Sequence, residues 1–130
     1  MEVHEGWVPM LKVEQRRAGD CLTVRVRGEL DGSNAGVLRT ALAAVGDDEL
    51  VLVDLREVPF MDAAALGALI GGIGRLRAGG TAIGLCVQPG AVQRILAVSG
   101  FDQVVRTFPS LQTARVEMGR APAAAEVASR

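Results

Sequence analysis

Residues 50–55 read LVLVDL, and no other run limits the possible folds as strongly. A strand with one face in water alternates apolar and polar side chains, so a nearly unbroken apolar run needs cover on both faces. Residues 81–87, TAIGLCV, have the same character. Two such strands separated by a helical stretch imply a sheet with helices packed against it. Upstream, residues 11–16 and 21–27 form two further strand candidates joined by a turn around Ala18-Gly19-Asp20. In the second, Leu22, Val24 and Val26 alternate with Thr23, Arg25 and Arg27, the period of a half-buried strand. A hairpin followed by βαβα alternation predicts an α/β fold: a mixed sheet of four to five strands with about four helices packed on it.

The helices follow from apolar spacing and caps. Val37, Leu38, Ala41, Leu42 and Val45 share a helical face over residues 35–45, with Asn34 or Ser33 as its cap. Asp62 stands at the N-cap of a helix over residues 63–77, which Gly79-Gly80 stops. Pro89 opens a helix that runs through Val98 and ends at Ser99-Gly100. Residues 104–108 read as a short edge strand, and Ser110 caps a last helix to about Met118. One domain is thus expected over residues 11–118. Residues 1–10 form an arm whose Trp7, Val8 and Met10 could add a strand, swap between subunits or fray. Residues 119–130, GRAPAAAEVASR, have little to bury and are expected to be disordered.

Composition removes several classes of function. A formal net charge of −1 gives no broad attraction to nucleic acid or to anionic membranes. Aromatic residues make up 3% and tyrosine is absent, so base-stacking platforms are not expected. No apolar run approaches the roughly 20 residues of a membrane span, and the N-terminus lacks a signal-peptide pattern. A soluble, cytoplasmic protein with no direct membrane insertion is expected. Cys21 and Cys86 lie apart in strand-like runs, without metal spacing. His4 is the only histidine, so no Ser-His-Asp or Cys-His unit can be assembled. GGIG falls inside a helix, and GGT is not followed by the GK[ST] of a phosphate loop. No enzyme activity, metal or cofactor is expected.

The helix over residues 63–77 raises a different possibility. At about 100° per residue, Leu66, Leu69, Ile70, Ile73 and Leu76 fall on one arc, expected to face the sheet. The opposite arc carries Ala64, Ala68, Gly71 and Arg75, flanked by Gly67 and Gly72. Each interior glycine costs about 1 kcal/mol of helix propensity relative to alanine. A small, nearly uncharged outer face is suited to close approach by another protein's backbone. At its start, Asp62-Ala63-Ala64-Ala65 carries methyl groups where a reactive hydroxyl would be exposed.

GELD at residues 28–31, LVLVDLREVPFMD at 50–62, the LGALIGG helix and PGAVQRILAVSGFDQVVRTFPSLQTA at 89–114 together resemble the STAS domain. The name stands for sulfate transporter and anti-sigma factor antagonist. The resemblance implies a regulatory module without enzymatic activity. Family members carry Asp-Ser-Ser/Thr-Gly at residues 62–65, and the position equivalent to Ala64 is phosphorylated by a kinase-type anti-sigma factor. The unphosphorylated antagonist binds that kinase and frees the sigma factor. Carried onto this chain, the partner surface comprises Asp31, Ser33, Asp62, Ala63, Ala64 and Ala65, continued by Gly67, Ala68, Gly71 and Arg75. Ala64 departs from the pattern, because alanine cannot accept a phosphate, and Ala65 replaces the closing glycine. Three readings follow: an antagonist without the usual phosphorylation switch, a small STAS subunit that binds the ATPase of a lipid-trafficking ABC transporter, or a small-ligand sensor. The oligomeric state stays open.

Overall fold

The computed structural model describes residues 11–46 and 50–128. Strands β1 (Lys12–Ala18), β2 (Cys21–Arg27), β3 (Leu50–Glu57), β4 (Ala82–Cys86) and β5 (Arg106–Phe108) form one sheet in the order β1-β2-β3-β4-β5. β1 and β2 pair antiparallel, and every later pairing is parallel. Helices α1 (Ala35–Ala43), α2 (Ala63–Ala78) and α3 (Ala91–Ser99) form the crossovers, and α4 (Leu111–Ala128) closes the chain. The α/β class, the mixed sheet of five strands and the four helices agree with the sequence reading.

Alternation along the strands divides the core in two. Leu22, Val24 and Val26 of β2, Val51, Val53 and Leu55 of β3, and Ile83 and Leu85 of β4 point to one face. There they meet Leu38 and Leu42 of α1, Leu66, Leu69 and Ile73 of α2, and Val92 and Leu96 of α3. Parallel crossovers are right-handed as a rule, and three that step the same way across a sheet place their helices on one side, in keeping with this larger core. The opposite face holds a smaller cluster of Leu50, Leu52, Cys86, Phe108 and Ala114, with Leu111 and Met118 of α4 against it. β3 is therefore covered on both faces, as its unbroken apolar run requires. Gly84 is part of the same fit: a Cβ there would meet the Phe108 ring at 2.9 Å and Leu52 at 3.2 Å.

Several element ends differ from the sequence reading. β5 begins at Arg106 rather than 104, because residues Phe101–Gln103 wind into a 3-10 turn and Val104 keeps helical dihedrals. The Val105 N–H donates to the Phe101 carbonyl at 3.0 Å, so the local turn takes the donors a longer strand would have used. α4 spans Leu111–Ala128, ten residues beyond the helix end expected near Met118. The expectations for Trp7, Val8 and Met10 fall outside the described residues.

Candidate functional site

The loop after β2 and the start of α2 are tied into one unit. The Leu30 N–H donates to the Phe60 carbonyl at 3.0 Å, and the Asp62 N–H donates to the Leu30 carbonyl at 3.2 Å, so the loop runs beside the exit of β3 as a short parallel bridge. Asp62 then uses both carboxylate oxygens. Oδ1 accepts from the Ala65 N–H at 2.9 Å and caps α2; Oδ2 accepts from the Gly32 N–H at 3.0 Å and holds the loop. Capping alone explains an Asp at this position. The second bond is what joins the two elements.

Asp31 and Asn34 stiffen the loop from within. The Asp31 carboxylate accepts from the Ser33 hydroxyl at 2.5 Å and from the Ser33 N–H at 2.9 Å. Those bonds, the hydroxyl's foremost, hold the Asp31 carboxyl below its ordinary pKa. Asn34 directly precedes α1, but its side chain makes no cap bond to that helix. Its Oδ1 instead accepts from the Asp31 N–H at 2.9 Å, and its Nδ2 donates to the Glu29 carbonyl at 2.8 Å. The expected cap is thus a loop clamp, and the Asp31 carbonyl accepts from the Ala35 N–H at 2.8 Å in its stead. A Cβ built on Gly32 would lie 3.4 Å from the Ala64 methyl, so loop and helix start touch without a gap.

On α2 the structure corrects the expected outer arc. Ala68 is buried, and so is Gly72, where a Cβ would stand 2.6 Å from Leu42 of α1. Ile70, expected against the sheet, is 37% exposed. The reason is a second neighbour: α2 packs on α1 as well as on the sheet, which turns the buried arc towards 68 and 72. Ala65 is also fully buried and cannot touch a partner through its side chain. The exposed strip is Ala63, Ala64, Gly67, Ile70, Gly71, Gly74 and Arg75. Added Cβ atoms at Gly67, Gly71 and Gly74 would meet nothing within 4 Å, so these glycines are not required by packing inside the chain. Phe60, 46% exposed just before Asp62, was not singled out in the sequence. Its position two residues before a cap, following an apolar strand, was the available signal.

The remaining candidate groups serve the core. Burial pushes the Cys86 thiol up to about 11, which keeps it protonated and unreactive. Burial raises the Asp54 carboxyl, but bonds from Arg56 at 2.9 Å outweigh it and leave the pKa lowered. Among the described residues, no group of three or more His, Cys, Asp or Glu is placed to hold a metal ion. No described helix is long and apolar enough to cross a membrane.

The β-hairpin followed by three parallel strands, with helices packed on the sheet, matches the α/β fold expected from the motifs. The model of the STAS domain family matches residues 12–114. The chain belongs to the STAS domain family. This STAS domain is 24% identical over 111 residues to an anti-sigma F factor antagonist of Paenibacillus polymyxa, across 83% of this chain and 95% of that relative. An anti-sigma factor antagonist from Mycobacterium paratuberculosis has a similar crystal structure, with a TM-score of 0.76, 24% identity, and coverage of 83% of this chain and 93% of that one. A sulfate transporter family protein from Wolinella succinogenes is also similar, with a TM-score of 0.68, 20% identity, and coverage of 76% and 84%. At these identities the structural likeness establishes a common fold.

Proposed function

We propose that this STAS domain is an anti-sigma factor antagonist that docks a kinase-type anti-sigma factor through the Asp31–Ser33 loop, the start of α2 and the exposed strip of that helix. The observation that carries the reading is the surface itself. Ala63, Ala64, Gly67, Gly71 and Gly74 are exposed and present almost no side chain, while Asp62 holds the neighbouring loop in a fixed position. A preformed surface loses little entropy on binding. Its floor of methyl groups and bare backbone permits close approach, and Phe60 and Ile70 add apolar area at the edges. Asp31 and Asp62 supply negative charge beside it, which suits a partner surface bearing arginine or lysine.

Docking in this reading is not switched by phosphate at residue 64, because a methyl group has no hydroxyl to transfer to. The test mixes the protein and its Ala64→Ser variant with the kinase-type anti-sigma factors of its own organism and ATP. Wild type binds one of them and incorporates no phosphate on residue 64; the serine variant binds, gains phosphate and then dissociates. Binding to none of them, with retention by a transporter ATPase, would replace this reading with the transporter-subunit one.

A further inference from the structure

The face of the sheet away from α1 and α2 is covered unevenly. α4 packs on β3, β4 and β5, and among the described residues no element packs to a similar extent on that side of the β1–β2 ribbon. The antiparallel register sets Glu14 opposite Arg25 and Arg16 opposite Thr23, so these four side chains stand on one face. Arg115 reaches across from α4, its Nη2 donating to the Thr23 hydroxyl at 3.3 Å. With Leu111 at the helix start, they line a concavity of about 500 Å³. That lies within the roughly 300–1,000 Å³ common for small-molecule sites.

Three guanidinium groups and one carboxylate line this groove, in a chain whose formal net charge is −1. Arg25 is already engaged, its Nε donating to Glu57 at 3.0 Å. Arg16 has no hydrogen-bond or ion-pair partner among the described residues. Among the described residues, Arg115 has only a long bond to a neutral hydroxyl, and Thr23 itself is 5% exposed. A guanidinium presents a planar fork of donors that matches a carboxylate or phosphate group, and two of them across a cleft can grip one oxyanion from both sides.

We propose that this groove is a second binding site, for a small organic anion whose carboxylate or phosphate head sits between Arg16 and Arg115 with the Thr23 hydroxyl on its floor. Glu14 limits the class of ligand. Its carboxylate repels an extended polyanion laid along the ribbon, so nucleic acid and anionic lipid surfaces do not fit. The site lies on the opposite face of the sheet from α2 and does not depend on the docking reading.

The experiment titrates the ¹⁵N-labelled full chain with inorganic phosphate and, separately, with succinate, at constant ionic strength. One of the two produces saturable shifts confined to Thr23, Arg25, Leu111, Arg115 and the facing β1 amides; which one saturates identifies the head group. Arg16→Gln and Arg115→Gln each weaken that binding at least tenfold, and Arg94→Gln on α3 leaves it unchanged. Linear shifts with both anions, or an affinity that neither groove variant alters, would overturn the proposal.

Discussion

Asp62 shows how much one side chain can organise. Its two oxygens serve a helix cap and a loop from another part of the chain, 30 residues away in sequence. A lost cap is typically worth about 1 kcal/mol, and a second hydrogen bond about another. Asp62→Ala is therefore expected to lower the unfolding free energy by about 2 kcal/mol, and Asp62→Asn, which retains one good acceptor, by about half as much. Urea unfolding measures the difference. Amide exchange adds a local check, since the Gly32 N–H should lose protection in the alanine variant before the strands do. A second expectation concerns the thiols. Cys86 is buried and protonated, whereas Cys21 is partly exposed. A thiol reagent under native conditions should label one cysteine per chain quickly and the other only on unfolding. Rapid labelling of both would contradict the packing of α4 over Cys86.

At the level of the element, α2 separates what a sequence can disclose from what it cannot. Its existence, its Asp62 cap and its glycine stop were all legible, because caps and apolar period are local signals. Its rotation was not. Ala68 and Ile70 exchanged places relative to the expected arcs because the helix has two neighbours, and the approach of Leu42 to Gly72 depends on α1, not on the sequence of α2. The clamp made by Asn34 was hidden for the same reason: a residue directly before a helix suggests a cap, and only tertiary placement shows it bonding backward to Glu29 and Asp31. Only the family resemblance grouped Asp31 and Ser33 with Asp62; composition and spacing carried no sign that they are neighbours. These facts give glycine substitutions opposite signs along a single helix. Gly67→Ala, Gly71→Ala and Gly74→Ala should each stabilise the protein by about 0.5–1 kcal/mol, since open space receives the methyl group and helix propensity improves. Gly72→Ala should instead destabilise it, because the methyl group would overlap Leu42. Thermal unfolding of the four variants checks the pattern, and stabilisation at residue 72 would mean that α1 and α2 pack less closely than described.

Across the whole molecule, the sheet separates two chemistries: a strip of small side chains, charged only at Arg75, on the α1–α2 side and paired or open arginines on the α4 side. The Asp54–Arg56 pair, a buried carboxylate with a half-buried guanidinium, belongs to the second and gives stability a pH dependence. Folding lowers the Asp54 pKa from its ordinary 3.8, so its contribution is complete above that value and is lost as pH falls through the folded pKa. Asp54→Asn should flatten the acid limb of the stability curve, with wild type and variant converging at low pH; parallel curves would show that other carboxylates control that limb. The central claim is that the exposed strip of α2 is the partner surface. Gly71→Arg tests it most directly, because the position is open and the change improves helix propensity. Titration of wild type and variant against the kinase-type anti-sigma factor should show binding weakened at least tenfold, about 1.4 kcal/mol, with the melting temperature unchanged or raised. Equal affinity of the two proteins for that partner would contradict the account and place the contact elsewhere on the fold.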